Sequence, residues 1–122
     1  MAVIAYPGQL QNAQTGNADS TNTIQTKGGE INLRPYILRI VSTIGATPTV
    51  LIKILGSFDG GSTFVNIYYS VLSAAAGDYT NANITTTTAK TELYEILPGQ
   101  GWTHLKVNMS ANTNVTLTTD LL

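Results

Sequence analysis

The chain contains no cysteine, which excludes disulfide staples, thiolate metal sites and a cysteine nucleophile. Charge is scarce too. Only 11 % of the 122 residues are charged, against about 25 % in a typical soluble domain. The six basic residues (Lys27, Arg34, Arg39, Lys53, Lys90 and Lys106) stand singly along the chain. Phosphate recognition needs clustered Lys and Arg, so no nucleic-acid partner is expected. No apolar run approaches the roughly 20 residues of a membrane-spanning helix. The opening MAVIAYPGQL lacks the basic and long apolar regions of a secretion signal. Synthesis in the cytoplasm and no membrane association are therefore expected. Nor is there an amphipathic helical repeat, which argues against a parallel α/β sheet.

What is present in quantity is apolar residues, 43 % of the chain, together with Thr, Asn, Ser and Gly. Threonine suits a pleated surface because its Cβ is branched, and Asn, Ser and Gly serve turns. The length fits one domain with one modest core. A surface short of Lys and Glu resembles the centre of a protein–protein interface, and so points to obligate association.

Residues 1–30 read as an N-terminal arm with one possible strand, and residues 31–122 as a β-sandwich. In the arm, the apolar patch Val3-Ile4-Ala5-Tyr6 is stopped by Pro7-Gly8, a polar stretch follows, and Thr21–Lys27 is the strand candidate, ended by Gly28-Gly29. An arm tipped with apolar side chains is expected to dock on another chain. Beyond it, strands are predicted at Tyr36–Thr43, Thr49–Ser57, Ser62–Val71, Thr91–Leu97, Trp102–Ser110 and Asn114–Leu121, with Ala82–Thr88 as an edge strand or an ordered loop. Turns are expected at Gly45–Pro48, Asp59–Gly61, Pro98–Gly101 and Ala111–Thr113, and one helical turn over Leu72–Asp78. The Asp59-Gly60-Gly61 turn makes Thr49–Val71 a hairpin. Short strands separated by turns suggest a β-sandwich or a barrel, and an antiparallel, jelly-roll-like β-sandwich is the architecture expected.

Period-2 alternation assigns faces. Thr103, Leu105, Val107 and Met109 share one side, and Trp102, His104, Lys106 and Asn108 the other. Val115, Leu117 and Leu121 oppose Thr116, Thr118 and Asp120. The middle strands are apolar on both sides: Val50, Ile52 and Ile54 oppose Leu51 and Leu55, and Ile37 and Val41 oppose Leu38 and Ile40. Such strands must be covered on both faces. With no helix to do it, the arm or a neighbouring subunit remains.

Reactive chemistry finds little support. A hydrolase needs a nucleophile, a base and an orienting group. The single histidine, His104, reads as a partly exposed strand residue. Glu92 and Glu95, three apart in a strand, point to opposite faces. Asp59 reads as a turn residue bonding its own backbone, since a calcium loop needs several acids at alternate positions. The glycines of GSFDGG lie between strands, which is not a nucleotide-binding context. Three Asn-X-Ser/Thr matches, at Asn83, Asn108 and Asn114, fit chance in a chain so rich in Asn and Thr. Tyr68, Tyr69, Tyr94 and Trp102 read as core or interface packing residues. No enzyme activity, cofactor or metal is expected.

The run VLIKILGSFDGGSTFVNI, residues 50–67, resembles a pattern of small β-sandwich virion proteins of tailed bacteriophages: a strand ending in Gly-Ser, an Asp-Gly turn, then an aromatic opening the next strand. The closing PGQGWTHLKV and NMSANTNVTLTTDLL are similar to the last hairpin of those proteins. The likeness runs from about Arg34 to the C-terminus, and Phe64 stands where a tryptophan is common. The resemblance implies a virion structural protein, foremost a capsid decoration (cement) protein that binds and stabilises the major capsid protein, as a homo-oligomer with a trimer favoured. The expected contact residues are Val3, Ile4, Tyr6, Leu51 and Leu55. The alternative is a tail- or vertex-associated β-sandwich module binding a host-surface glycan, with a pocket around Trp102, His104 and Tyr94.

Overall fold

The structure is a computed structural model and describes residues 2–26, 35–72 and 78–122. The described residues form nine strands and no helix: β1 (Ala2–Ala5), β2 (Gly8–Gln14), β3 (Asn22–Gln25), β4 (Tyr36–Ser57), β5 (Val65–Asn66), β6 (Tyr69–Val71), β7 (Ile84–Thr86), β8 (Lys90–Ile96) and β9 (His104–Leu121). All belong to one mostly antiparallel sheet, ordered β1-β3-β9-β4-β8-β6, with β2 on β9 and β5 and β7 on β4. The parallel exception is β1 on β3. The expected Gly28-Gly29 stop and most of the expected helical turn over Leu72–Asp78 lie outside the described residues.

Two long strands organise the molecule. β4 and β9 run antiparallel along nearly their whole length, from Leu38 opposite Leu121 to Ser57 opposite His104. The ladder is broken in the middle, between Ile44 opposite Val115 and Leu51 opposite Ser110. There Thr47, Ala111 and Asn114 take positive φ of 45°, 49° and 53°. The turns expected at Gly45–Pro48 and Ala111–Thr113 are thus bulges at which both strands bend together and continue. A bulge increases local twist and redirects a strand, so each long strand serves both halves of a β-sandwich. One half holds β2, the end of β9, the start of β4, β8 and β6. The other holds β1, β3, the start of β9, the end of β4, β5 and β7.

The predicted hairpin after Ser57 is present but short. β5 pairs with β4 through Leu55–Asn66 and Gly56–Val65. The chain then leaves that half, and Tyr69–Val71 pairs with β8 in the other. The predicted strand Ser62–Val71 is therefore divided between the two halves. Of the two readings for Ala82–Thr88, edge strand or ordered loop, the strand is found, as the three-residue β7 opposite Val50–Ile52.

Between the halves lies one core. Leu38, Ile40, Ile52, Ile54, Val107, Met109, Leu117 and Leu121 are buried in it, as alternation predicts. So are Leu10 and Ile24 of the N-terminal segment, both fully. Residues 2–26 carry three strands rather than one, and β2 and β3 pair with β9. Their apolar side chains complete the core, so this segment is built into the sandwich where an extended arm was expected. Asp19 ties it down further. One carboxylate oxygen accepts from Lys106 Nζ at 2.8 Å and the other from Asn108 Nδ2 at 2.9 Å.

Trp102 departs from the expected alternation. It precedes β9, is fully buried, and packs 5.2 Å from Tyr36, ring centre to ring centre. The amide and hydroxyl of Thr103 both donate to Ser57 O, so the backbone turns here before the period-2 pattern begins.

Candidate interaction surface

The loop that follows β4 is braced by its own polar groups. Ser57 Oγ donates to Asp59 Oδ1 at 2.7 Å, which also accepts from the amides of Ser62 and Thr63 at 3.2 and 2.8 Å. The Gly61 amide donates back to Ser57 Oγ at 2.8 Å. Gly60 and Gly61 adopt φ of 76° and 97°, a region that a Cβ penalises. The bonds from Thr63 and Ser57 hold the Asp59 carboxyl at about 2, below its ordinary 3.8. This is the turn role expected for Asp59.

Bracing of this kind fixes what the loop displays. Phe58 and Val65, on its two sides, are 51 % and 48 % exposed. With Asp59 and Thr63 they line an apolar notch of about 210 Å³. Neither was singled out from the sequence. The available signal was an aromatic residue directly before an Asp-Gly turn, where no strand partner can cover it.

The five expected contact residues do not form one cluster. Val3 is 57 % exposed. Ile4 turns inward and packs on the core. Tyr6 is half-buried, edge-on to Tyr36 at 4.6 Å, and its hydroxyl donates to Leu122 O at 2.7 Å. Both latter residues thus serve the fold. Leu51 and Leu55 are half-buried on the outer side of β4, away from the core-facing Ile52 and Ile54.

Pairing brings Val3 and Leu55 onto one row. Val3 lies opposite Thr23, and Leu55 opposite Lys106. Thr23 and Lys106 line a shared cleft of about 240 Å³ with Val3, Phe64, Gly61 and His104. Lys106 Nζ sits 4.0 Å from the centre of the Phe64 ring, a cation–π contact that anchors the loop to β9. The outer surface of this half is therefore a mixed apolar and polar face bounded by the Phe58 loop.

His104 is 8 % exposed, not partly open as expected. A Cβ on Gly61 would lie 3.4 Å from its ring, and its Nδ1 is 2.9 Å from Thr103 Oγ1. Trp102 and Tyr94 are 0 % and 2 % exposed. The residues expected to frame a glycan pocket are buried, so they offer no stacking surface to a sugar. Burial pushes the Tyr94 hydroxyl above its ordinary range. Another cleft, of about 380 Å³, lies at the bend of the long strands and is lined by Thr15, Thr43, Ile44, Asn112 and Asn114. Asn112 is engaged there: its side chain donates to Thr15 O and Val115 O and accepts from the Val115 amide. Among the described residues, no group of three or more His, Asp or Glu side chains is placed to hold a metal ion.

The fold is that of a small antiparallel β-sandwich whose two halves share a pair of long bent strands. It is similar to the crystal structure of the SPBc2 prophage-derived protein YomS, with a TM-score of 0.59 and 12 % sequence identity over 93 % of this chain and 88 % of that one. No family model matches the sequence, and no curated protein matches it.

Proposed function

We propose that the protein is a structural component of a tailed-phage particle, and within that class a decoration protein of the capsid shell. The likeness of nearly the whole chain to a prophage-derived protein is the observation that carries the proposal. The residue 50–67 hairpin pattern and the charge-poor surface support it. In this reading the chain works through protein contacts rather than chemistry, its partner is the major capsid protein, and it resides in the virion. Two surfaces are offered to the shell: the Phe58 and Val65 loop, and the outer face that carries Val3, Leu51 and Leu55. A standard interface buries about 1,600 Å², and apolar area contributes roughly 25 cal/mol per Å² before association costs. Repetition around a shell multiplies modest contacts.

The deciding measurement is the copy number per purified particle, by quantitative mass spectrometry against the major capsid protein. A fixed stoichiometric ratio to that protein is expected. A handful of copies would move the protein to the tail or a vertex, and absence from particles would end the virion reading. Replacing Phe58 and Val65 together by Ser is expected to lower occupancy on the shell at least about tenfold with little change in melting temperature. Undiminished occupancy would remove the loop from the interface.

A further inference from the structure

The edges of this sheet are treated unequally. At one end of the strand order, β6 is closed by a two-way bridge: the Tyr69 amide donates to Thr80 O at 2.9 Å and the Thr80 amide to Tyr69 O at 2.8 Å. Beside β5, Asn66 Nδ2 donates to Asn81 O and Asn83 Oδ1. At β2, Gln9 O accepts from Asn22 Nδ2 at 2.9 Å. At the other end stands β1, which pairs with β3 and, among the described residues, with nothing on its outer side. Exposed edges are normally guarded by Lys, Pro or a bulge. Residues 2–5, Ala-Val-Ile-Ala, contain no charge and no Pro, and their register on β3 is unbroken.

The backbone of β1 fixes which groups are open. The amides of Ala2 and Tyr6 donate inward, to Thr21 O and Gln25 O. Because N–H and C=O groups alternate sides along a strand, those of Val3 and Ala5 point outward. We infer that this edge is a self-pairing site, at which two copies of the chain join antiparallel along β1 about a two-fold axis. With Ile4 on the axis, Val3 of each copy lies opposite Ala5 of the other. All four outward donors and acceptors on each side are then satisfied. The exposed Val3 side chain is covered by a small apolar neighbour. A second copy fits better than a charged segment because the edge is self-complementary, uncharged, and part of a chain with a net charge of only −1. Pairing over four residues buries little area against the roughly 1,600 Å² of a standard interface, so the dimer is reversible and concentration-dependent. The inference does not rest on the virion reading. It also differs from the trimer implied by the family resemblance, because an isologous contact closes at two copies.

Sedimentation equilibrium of the purified full chain over a wide concentration series tests it. The mass of the wild type is expected to rise from 13.0 kDa toward twice that value. Val3→Pro removes an outward donor and leaves the β1–β3 bonds in place, a position at which an edge strand tolerates proline. Self-association is expected to weaken at least about tenfold, while Val3→Thr, which keeps the amide, still dimerises. Hydrogen exchange on the wild type gives a readout independent of any variant. Protection at the Val3 and Ala5 amides should increase with concentration, while the inward Tyr6 amide stays protected throughout. A single-chain mass at every concentration, a three-chain species, or a Val3→Pro protein that associates like the wild type would each overturn the inference. So would Val3 and Ala5 amides indifferent to concentration.

Discussion

Asp59 illustrates how one side chain can organise a loop without being buried. Its carboxylate collects a hydroxyl and two amides, and an ionised acceptor makes the stronger bonds. Its folded value is about 2 and its ordinary value 3.8. The stabilisation is therefore complete above the ordinary value and is lost as the pH falls through 2. Asp59→Asn should melt at a lower temperature than the wild type at neutral pH, with the difference closing near pH 2, as followed by circular dichroism. Asp19 behaves in the same sense. Burial pushes its carboxyl up, but the bonds from Lys106 and Asn108 and the charge of Lys106 outweigh burial and hold it below 3.8. The turn role of Asp59 was legible because Asp-Gly-Gly between two apolar runs has a local meaning. The burial of His104 was not, because the loop that covers it is distant in sequence. Nothing in WTHLK announces that Gly61 will lie over the ring.

At the scale of elements, the bends of β4 and β9 are the central feature. Gly, Pro, Asn and positive φ punctuate a chain in the same way whether it reverses or bulges. The difference is set by whether the partner strand bends in step, which is a non-local property. Thr47, a β-branched residue at φ 45°, is strained, since a Cβ in this region costs roughly 1–2 kcal/mol. Thr47→Gly is expected to stabilise the protein by about 1 kcal/mol after the extra flexibility of the unfolded chain is offset, measured by urea denaturation. Gly56 shows the opposite requirement. A Cβ there would lie 2.7 Å from Ile67 Cγ2 and 3.1 Å from Trp102 Cβ, where β4, β5 and the approach to β9 crowd together. Gly56→Ala should destabilise by about 1–3 kcal/mol in the same assay. An unchanged midpoint would mean that Ile67 can yield.

At the scale of the whole molecule, one core shared by both halves and by the N-terminal segment predicts a single cooperative unfolding transition. Leu10→Ala, fully buried in the wild type, should cost about 2–5 kcal/mol by chemical denaturation. Removal of residues 1–14 should abolish the folded state instead of trimming an appendage. A truncated chain that still melts cooperatively near the wild-type temperature would show that β1 and β2 are dispensable. The all-β class, the alternating core positions of the long strands and the Asp59 turn were legible in residue order, because each depends on local propensity and a two-residue period. It also announced strands apolar on both sides, and the half-buried Leu51 and Leu55 answer to that pattern. Long-range pairing settled that two pairs of predicted strands are two continuous bent ones, that residues 2–26 close the sandwich, and that Ile4 and Tyr6 serve the interior while Phe58 and the edge of β1 face outward. These outcomes depend on which distant strand supplies each backbone hydrogen-bond partner, and pairing between residues far apart along the chain leaves no periodic mark on either segment.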